Sequence, residues 1–379
     1  DPPVAPTEIG DLAQALLHKG DVAGILAEEI GSEEIAETSP LTTDGRAGAV
    51  ALNAVVRGDP EREPEVSHLP EFDFAFVQSE DGMLIPARRG LIIADHPYLN
   101  YILEPGRAWQ EEGDQSYTRA SIPFALVWKG SNATLNGTMT FLFDETGVSK
   151  VWYQVTQETT ISFGADMWGM LDAVYHPGPV GEADQLREAY ARERDGRLPS
   201  KPIAQLAQDY PGVDAAAFGS GVSPESRTWY GFVVDGVNYV SGCPTRYGEY
   251  AYCESMRAPS YSTAKSTFPS MALMRLAQKY DPAAPGLLIK EYVPEAAKSP
   301  GEWSAVTFDH TLDMATGNYR SAEFMVDEES WDGSDPFWTE EYYDGLIAAA
   351  FNWPHSADPG TQWVYRTSDT FIVTRALHN

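Results

Sequence analysis

The stretch Ala258–Pro282, APSYSTAKSTFPSMALMRLAQKYDP, decides how the second half of this chain is read. Ser262 follows Pro259 and opens an apolar helix, where unpaired backbone N–H groups and the helix dipole favour negative charge on its hydroxyl. Lys265 lies one turn later on the same face. Desolvation beside an apolar helix favours the neutral form of a lysine, which is the form that accepts a proton. The same residues equally describe an N-cap serine, a feature worth about 1 kcal/mol, beside a solvated lysine. With this composition roughly half a Ser-x-x-Lys match is expected by chance, so the segment alone leaves nucleophile and cap level. Pro269 cannot donate to the carbonyl of Lys265, and a local kink is expected there.

Length and composition bound the reading. A chain of 379 residues suggests two domains. No apolar run is long enough for a transmembrane helix. Against 26 basic residues stand 56 acidic ones, a formal charge of −30. That field disfavours nucleic acid and anionic membrane surfaces as partners. The opening DPPVAPTE has no initiator Met, as a mature secreted product would. The two cysteines, Cys243 and Cys253, lie in GCPTRYGEYAYC across an apparent hairpin and form a disulfide in an oxidising compartment; two free thiols are the alternative. No second Cys/His pair sits at zinc-ligand spacing.

Helical periodicity runs over residues 9–38 and breaks at Gly20. From Phe72 the pattern changes to alternation, in FDFAFVQ, GMLIPARRGLIIAD, ASIPFALVWKG, TLNGTMTFLFDE and VSKVWYQVTQETTISFG. Short strands separated by turn residues predict a β-rich domain, a sandwich or open barrel. Residues 183–202 read as a charged helix and a Pro-bearing linker, which places the domain boundary near residue 200. RTWYGFVVDGVNYVSG then gives two strands joined at Asp235-Gly236. Helices are expected from Ser262, near Pro285–Tyr292, within VTFDHTLDMATG up to Gly317, and after PGTQWVY.

These segments, in this order, resemble the serine β-lactamase-like superfamily of penicillin-binding proteins, class C β-lactamases and related esterases and amide hydrolases. The opening hairpin FVVDGVNYVSG, the helix STAKSTFPSMALMRLAQ, the stretch KEYVPEAAKSPGEWSAVTFDHTLDMATG and the segment PGTQWVYRTSDTFIV carry the resemblance over about residues 225–379. Together with the strand and helix pattern upstream, it gives an α/β (α+β) chain: an N-terminal β-rich accessory domain with a short helical start (1–200), then, as the resemblance implies, a β-lactamase-like domain, an antiparallel sheet with helices (201–379). It also implies Ser262 as nucleophile, Lys265 as the group that helps deprotonate it, and Tyr365 as the residue that shuttles the proton to the leaving group. A phenol acts as a base only beside a cation, and Lys265 supplies one.

Three departures from the family pattern matter. Tyr-Ser-Asn appears as Tyr365-Arg366-Thr367, so the substrate amide contact falls to Thr367 or Ser368, away from penicillin specificity. Pro269 interrupts the nucleophile helix. The late Lys-Thr-Gly or His-x-Gly strand does not follow Tyr365; the His-x-Gly triplets are His18-Lys19-Gly20 and His176-Pro177-Gly178, both upstream. That strand normally supplies an oxyanion donor, whose loss costs about a hundred- to a thousand-fold in rate, and the resemblance therefore implies that a C-terminal remainder of the same polypeptide lies beyond Asn379.

The expectation is a secreted or periplasmic serine hydrolase that forms an acyl-enzyme with a small-molecule ester or amide, a carboxylesterase or linear-amide hydrolase before a β-lactamase, needing no metal or organic cofactor. An inert penicillin-binding-like protein with a partner- or polysaccharide-binding N-terminal domain is the second reading, and a transpeptidase or D-aminopeptidase the third. Asp327, Glu328, Glu329, Asp332, Asp335, Glu340 and Glu341 match no calcium loop and read as a solvated face. Asn132 and Asn136 open glycosylation sequons. His310 and His355 are isolated and read as structural. Neither a phosphate-cradling glycine loop nor a Gly-x-Ser-x-Gly elbow is present.

Overall fold

The alternating runs after Phe72 pair into one antiparallel sheet. In the computed structural model, which describes residues 49–57, 69–129, 133–159, 164–176, 178–330, 336–337 and 342–378, its strands are β1 (Ala49–Arg57), β2 (Phe76–Gln78), β3 (Met83–Pro86), β4 (Leu99–Leu103), β5 (Gly106–Trp109), β6 (Thr118–Trp128), β7 (Thr134–Phe143), β8 (Val151–Thr159) and β9 (Gly164–Leu171). They lie in the order β1-β9-β8-β7-β6-β5-β3-β2, with β4 also beside β6. The far edge of β6 is shared: Arg119–Ser121 pair with β5, and Phe124–Trp128 pair with β4. Pro123, which cannot donate to a ladder, sits where the partner changes. The helical periodicity over 9–38 lies outside the described residues, as do Asn132, Asp332, Asp335, Glu340 and Glu341.

Alternation sorts the side chains. Ile122, Phe124 and Leu126 of β6 join Leu135, Met139 and Phe141 of β7 and Val151, Tyr153 and Val155 of β8 in one buried cluster. Removing this apolar surface from water, at about 25 cal/mol per Å², holds the sheet in register, because a one-residue slip would move the whole row onto the opposite buried face, where Ser121, Thr138 and Thr140 lie. The architecture is mixed α+β, with this large sheet and several helices.

The charged helix forms at Ala183–Asp195. The segment after it enters a small sheet of β10 (Ser200–Pro202), β12 (Val237–Val240) and β11 (Gly231–Val234), in that order. β11 and β12 join through Asp235 and Gly236, whose φ values of 48° and 75° are those a two-residue hairpin turn demands. A short ladder pairs β13 (Pro244–Thr245) with β14 (Gly248–Glu249).

The chain divides into two compact units, Asp1–Pro259 and Ser260–Asn379. This division lies downstream of the boundary expected near residue 200, and specific hydrogen bonds explain the difference. Tyr250 donates to the carbonyl of Gly137 and Tyr252 to that of Ser121, both at 2.9 Å. Asn136 accepts from the Arg257 N–H at 2.8 Å and donates to its carbonyl at 2.7 Å. The Tyr250–Arg257 stretch is therefore fastened to the large sheet. Asn136, 1% exposed, is a buried fastener and not an accessible glycan acceptor.

Among the described residues of the second unit the regular elements are helical: Thr263–Lys279, Ile289–Tyr292, Phe308–Leu312, Tyr343–Ala350 and Thr367–His378. Strands expected within 201–379 are β11 to β14, all in the first unit. Leu273, Ile289, Val306, Phe308, Phe351, Ile372 and Val373 form the second unit's buried core. No helix among the described residues is long and apolar enough to cross a membrane.

Cys243 and Cys253 are joined in a disulfide that closes the β13–β14 ladder. Cross-linking across a sequence separation of 10 restricts the unfolded chain by about 3 kcal/mol in the loop-entropy treatment. Reduction, or Cys243→Ser with Cys253→Ser, is expected to lower the urea midpoint of the first unit accordingly. An unchanged midpoint on reduction would show that the β13–β14 region contributes nothing to that unit's cooperative unfolding.

Candidate active site

Ser262 stands at the N-cap position of the Thr263–Lys279 helix, but its side chain makes no capping hydrogen bond. Its Oγ instead accepts from Lys265 Nζ at 2.7 Å. The same ammonium donates to the Tyr365 hydroxyl at 2.6 Å and lies 4.6 Å from the centre of that ring. One cation thus bridges two hydroxyls separated by a hundred residues of chain. Ser262 is exposed, while Lys265 and Tyr365 are half-buried.

Local backbone geometry presents the serine. Tyr261 adopts φ 40°, a left-handed conformation that costs a residue with a side chain on the order of 1–3 kcal/mol. The chain turns sharply there and enters the helix at once, leaving the Ser262 hydroxyl at the surface. The helix then runs through to Lys279 with Pro269 inside it, so Lys265 keeps its place one turn beyond Ser262.

Tyr365 is placed by a second set of contacts. Gly360 N–H donates to Ala315 O at 2.7 Å and Val364 N–H to Met314 O at 2.9 Å. This lays the turn before Tyr365 against residues 314–318. Gly317, at φ 78°, packs so closely on Ala357 that an added Cβ would lie 2.0 Å from its carbonyl oxygen. The capping box of Thr307 and His310 starts the helix leading into this loop. His310 is accordingly a structural residue.

Arg366 locks the arrangement. It is 1% exposed, donates through Nη2 to both carboxylate oxygens of Asp369 at 2.9 and 2.6 Å, to Thr316 Oγ1 at 2.8 Å, and through Nη1 to the Asn318 carbonyl. Its guanidinium also lies 4.9 Å from the centre of the Trp353 ring. Arg366, second in Tyr365-Arg366-Thr367, is therefore a buried hub.

Thr367 gives both its N–H and its hydroxyl to Glu328, at 2.8 and 2.5 Å. Ser368 is 4% exposed. The two residues expected to meet a substrate amide are thus turned towards Glu328 and into the interior. Asp327 is 2% exposed and accepts from the N–H groups of Arg320 and Ser321, each at 2.9 Å. Asp327 and Glu328, read in the sequence as part of a solvated face, fasten the 320–328 loop to itself and to the Tyr365–Thr367 segment. That loop brings Phe324 onto Trp363, with ring centres 6.1 Å apart and planes at 13°, and Trp363 meets Tyr365 at 6.3 Å. Sequence reasoning passed over both aromatics; Trp363, two residues before Tyr365 on the same extended segment, was the signal available.

Among the described residues no three His, Cys, Asp or Glu side chains gather to hold a metal ion. A cavity of about 250 Å³ lies in the first unit, lined by Phe72, Phe74, Phe76, Met139, Phe141 and Tyr175 among others. It contains none of the candidate residues. An apolar hollow is a weaker pointer to chemistry than a serine, a lysine and a tyrosine in hydrogen-bond contact. Comparisons of the chain with family models, curated proteins and solved structures found no match.

The hub carries a pH signature. Burial pushes the Asp369 carboxyl up, to about 6 against an ordinary 3.8, with Arg366 opposing the rise. Between those values the folded protein holds a proton the unfolded chain releases, so this group's contribution to stability falls as pH rises through that window. Removing Arg366 while keeping its bulk, as in Arg366→Met, leaves the carboxylate buried and uncompensated, a loss of about 3–5 kcal/mol at neutral pH. The deficit is expected to shrink at pH 5, where Asp369 takes up a proton. Urea unfolding of both proteins at the two pH values checks this, and an equal deficit at both would contradict it.

Proposed function

We propose that this chain is a serine hydrolase that opens ester or amide bonds through an acyl-enzyme on Ser262. The observation that carries the reading is the position of Lys265 Nζ, within hydrogen-bond distance of both Ser262 Oγ and Tyr365 Oη. A serine hydroxyl is a weak nucleophile until a neighbouring base takes its proton. The base here is the Lys265–Tyr365 pair in the form that holds one proton fewer than an ammonium beside a phenol, an amine with a phenol or an ammonium with a phenolate, so that the serine proton has a place to go.

Ser262 Oγ attacks the carbonyl carbon as its proton passes to that pair. The bond to the leaving group then breaks, and the pair returns the proton to the departing oxygen or nitrogen. Water next attacks the ester on Ser262, losing a proton to the same pair. The carboxylic acid leaves, and Ser262 regains its hydroxyl. The exposed serine and half-buried lysine suit this sequence, since the substrate must reach the one while the other stays partly shielded.

This arrangement, together with the ordered segments from FVVDGVNYVSG to PGTQWVYRTSDTFIV, supports a β-lactamase-like catalytic region. Engagement of Thr367 by Glu328 favours a carboxylesterase or linear-amide hydrolase over an enzyme built for penicillins. The Cys243–Cys253 disulfide fits an oxidising compartment, secreted or periplasmic.

A fluorophosphonate probe tests the reading. Ser262 is expected to label, as read by peptide mass, and Ser262→Ala to abolish labelling. Tyr365→Phe and Lys265→Met are each expected to slow labelling by about a hundred- to ten-thousand-fold, the usual worth of a positioned proton-transfer group. A folded full-length preparation that does not label at Ser262 would overturn the proposal and leave the inert, ligand-binding reading in its place.

A further inference from the structure

Beside Tyr365 the second unit displays two large aromatic side chains to solvent. Phe324 is 71% exposed and Trp363 50% exposed. Aromatic rings left in water forgo the burial that normally draws them inside. These two are nevertheless held in one orientation, nearly parallel at 13°.

Their support is built. Asp327, almost wholly buried, takes the N–H groups of Arg320 and Ser321 and closes the loop that carries Phe324. Glu328, the next residue, holds Thr367 by both its N–H and its hydroxyl. Met325, directly after Phe324, sits at φ 65°, a left-handed backbone that persists only where the surroundings over-determine it. From Phe324 the ring contacts run to Trp363, from Trp363 to Tyr365, and from Tyr365 to the Lys265 ammonium. The exposed stack is therefore continuous with the reacting groups.

Resting on the hydrolase reading above, we infer that Phe324 and Trp363 form a shelf that selects esters or amides carrying an aromatic ring next to the scissile bond. A flat ring laid on an exposed stack gains offset or edge contacts that an aliphatic chain of similar size does not. With the chain at −30, the selected substrate is neutral or cationic, since its field opposes the approach of an anion. Trp363 and Phe324 are specificity-determining residues here; the bond-making groups remain Ser262, Lys265 and Tyr365.

The experiment compares kcat/KM for ethyl acetate, ethyl phenylacetate and benzyl acetate in the full chain and its variants. The native protein is expected to favour one of the two aromatic esters over ethyl acetate by about tenfold or more, the range that apolar pocket contacts reach. Trp363→Ala and, independently, Phe324→Ala should each collapse that ratio towards one, while Trp363→Phe restores most of it. A ratio that stays the same in both alanine variants would overturn the shelf and leave the hydrolase intact. Native protein whose Ser262 does not label with the fluorophosphonate, a probe without an aromatic group, would instead overturn the hydrolase and the shelf with it. Where one alanine variant fails to fold, the other and Trp363→Phe still give the ratio.

Discussion

The candidate site depends on a buried cation that takes no part in the chemistry. Arg366 ties the start of the last helix, through Asp369, to the loop at Thr316 and Asn318. Tyr365 is its immediate neighbour in sequence. A buried charge is tolerable only when it is paired and hydrogen-bonded, and the contacts of Nη1 and Nη2, with Nε left without one, fix where Arg366 lies. With Arg366 fixed, Tyr365 meets a lysine a hundred residues upstream. Take the guanidinium away, and the bridge from Ser262 to Tyr365 loses the support of one of its two ends.

Much of this was legible in the sequence because it is written locally. The helix after Ser262, the Asp235-Gly236 hairpin and the turn into the final helix each follow from residues a few positions apart. The pairing of the two cysteines belongs to the same class. The triad was legible only as a resemblance, since no local rule brings Tyr365 to Lys265. Placement of the Tyr250–Arg257 stretch was not legible at all. Tyr250, Tyr252 and Arg257 look like ordinary surface-capable residues, and their attachment to Gly137, Ser121 and Asn136 exists only once the large sheet has formed.

The acidic stretch near residue 327 teaches a similar lesson. Charge runs are usually solvated, and composition gave no reason to single out Asp327 or Glu328. Their roles emerge from where backbone N–H groups point: a carboxylate that accepts two of them, or an N–H and a hydroxyl from Thr367, is a structural fastener. It was the same fastening that took up the Thr367 hydroxyl, which the resemblance had assigned to substrate. Sequence pattern singled out Ser262, Lys265 and Tyr365, while neighbours such as Phe324 and Trp363, to which the proposed specificity is assigned, carry no mark in the pattern.

A double-mutant cycle on the bridging lysine is the most direct measurement of the central claim, that Lys265 and Tyr365 act as one proton-transferring unit on Ser262. The rate of Ser262 acylation would be compared in the native chain, Lys265→Met, Tyr365→Phe and the combined variant. Residues that work as a unit lose nearly everything at the first removal. The combined variant is therefore expected to acylate about as slowly as the slower single variant. Losses that simply multiply would contradict the shared role and reduce the 2.7 and 2.6 Å contacts to neighbourly packing.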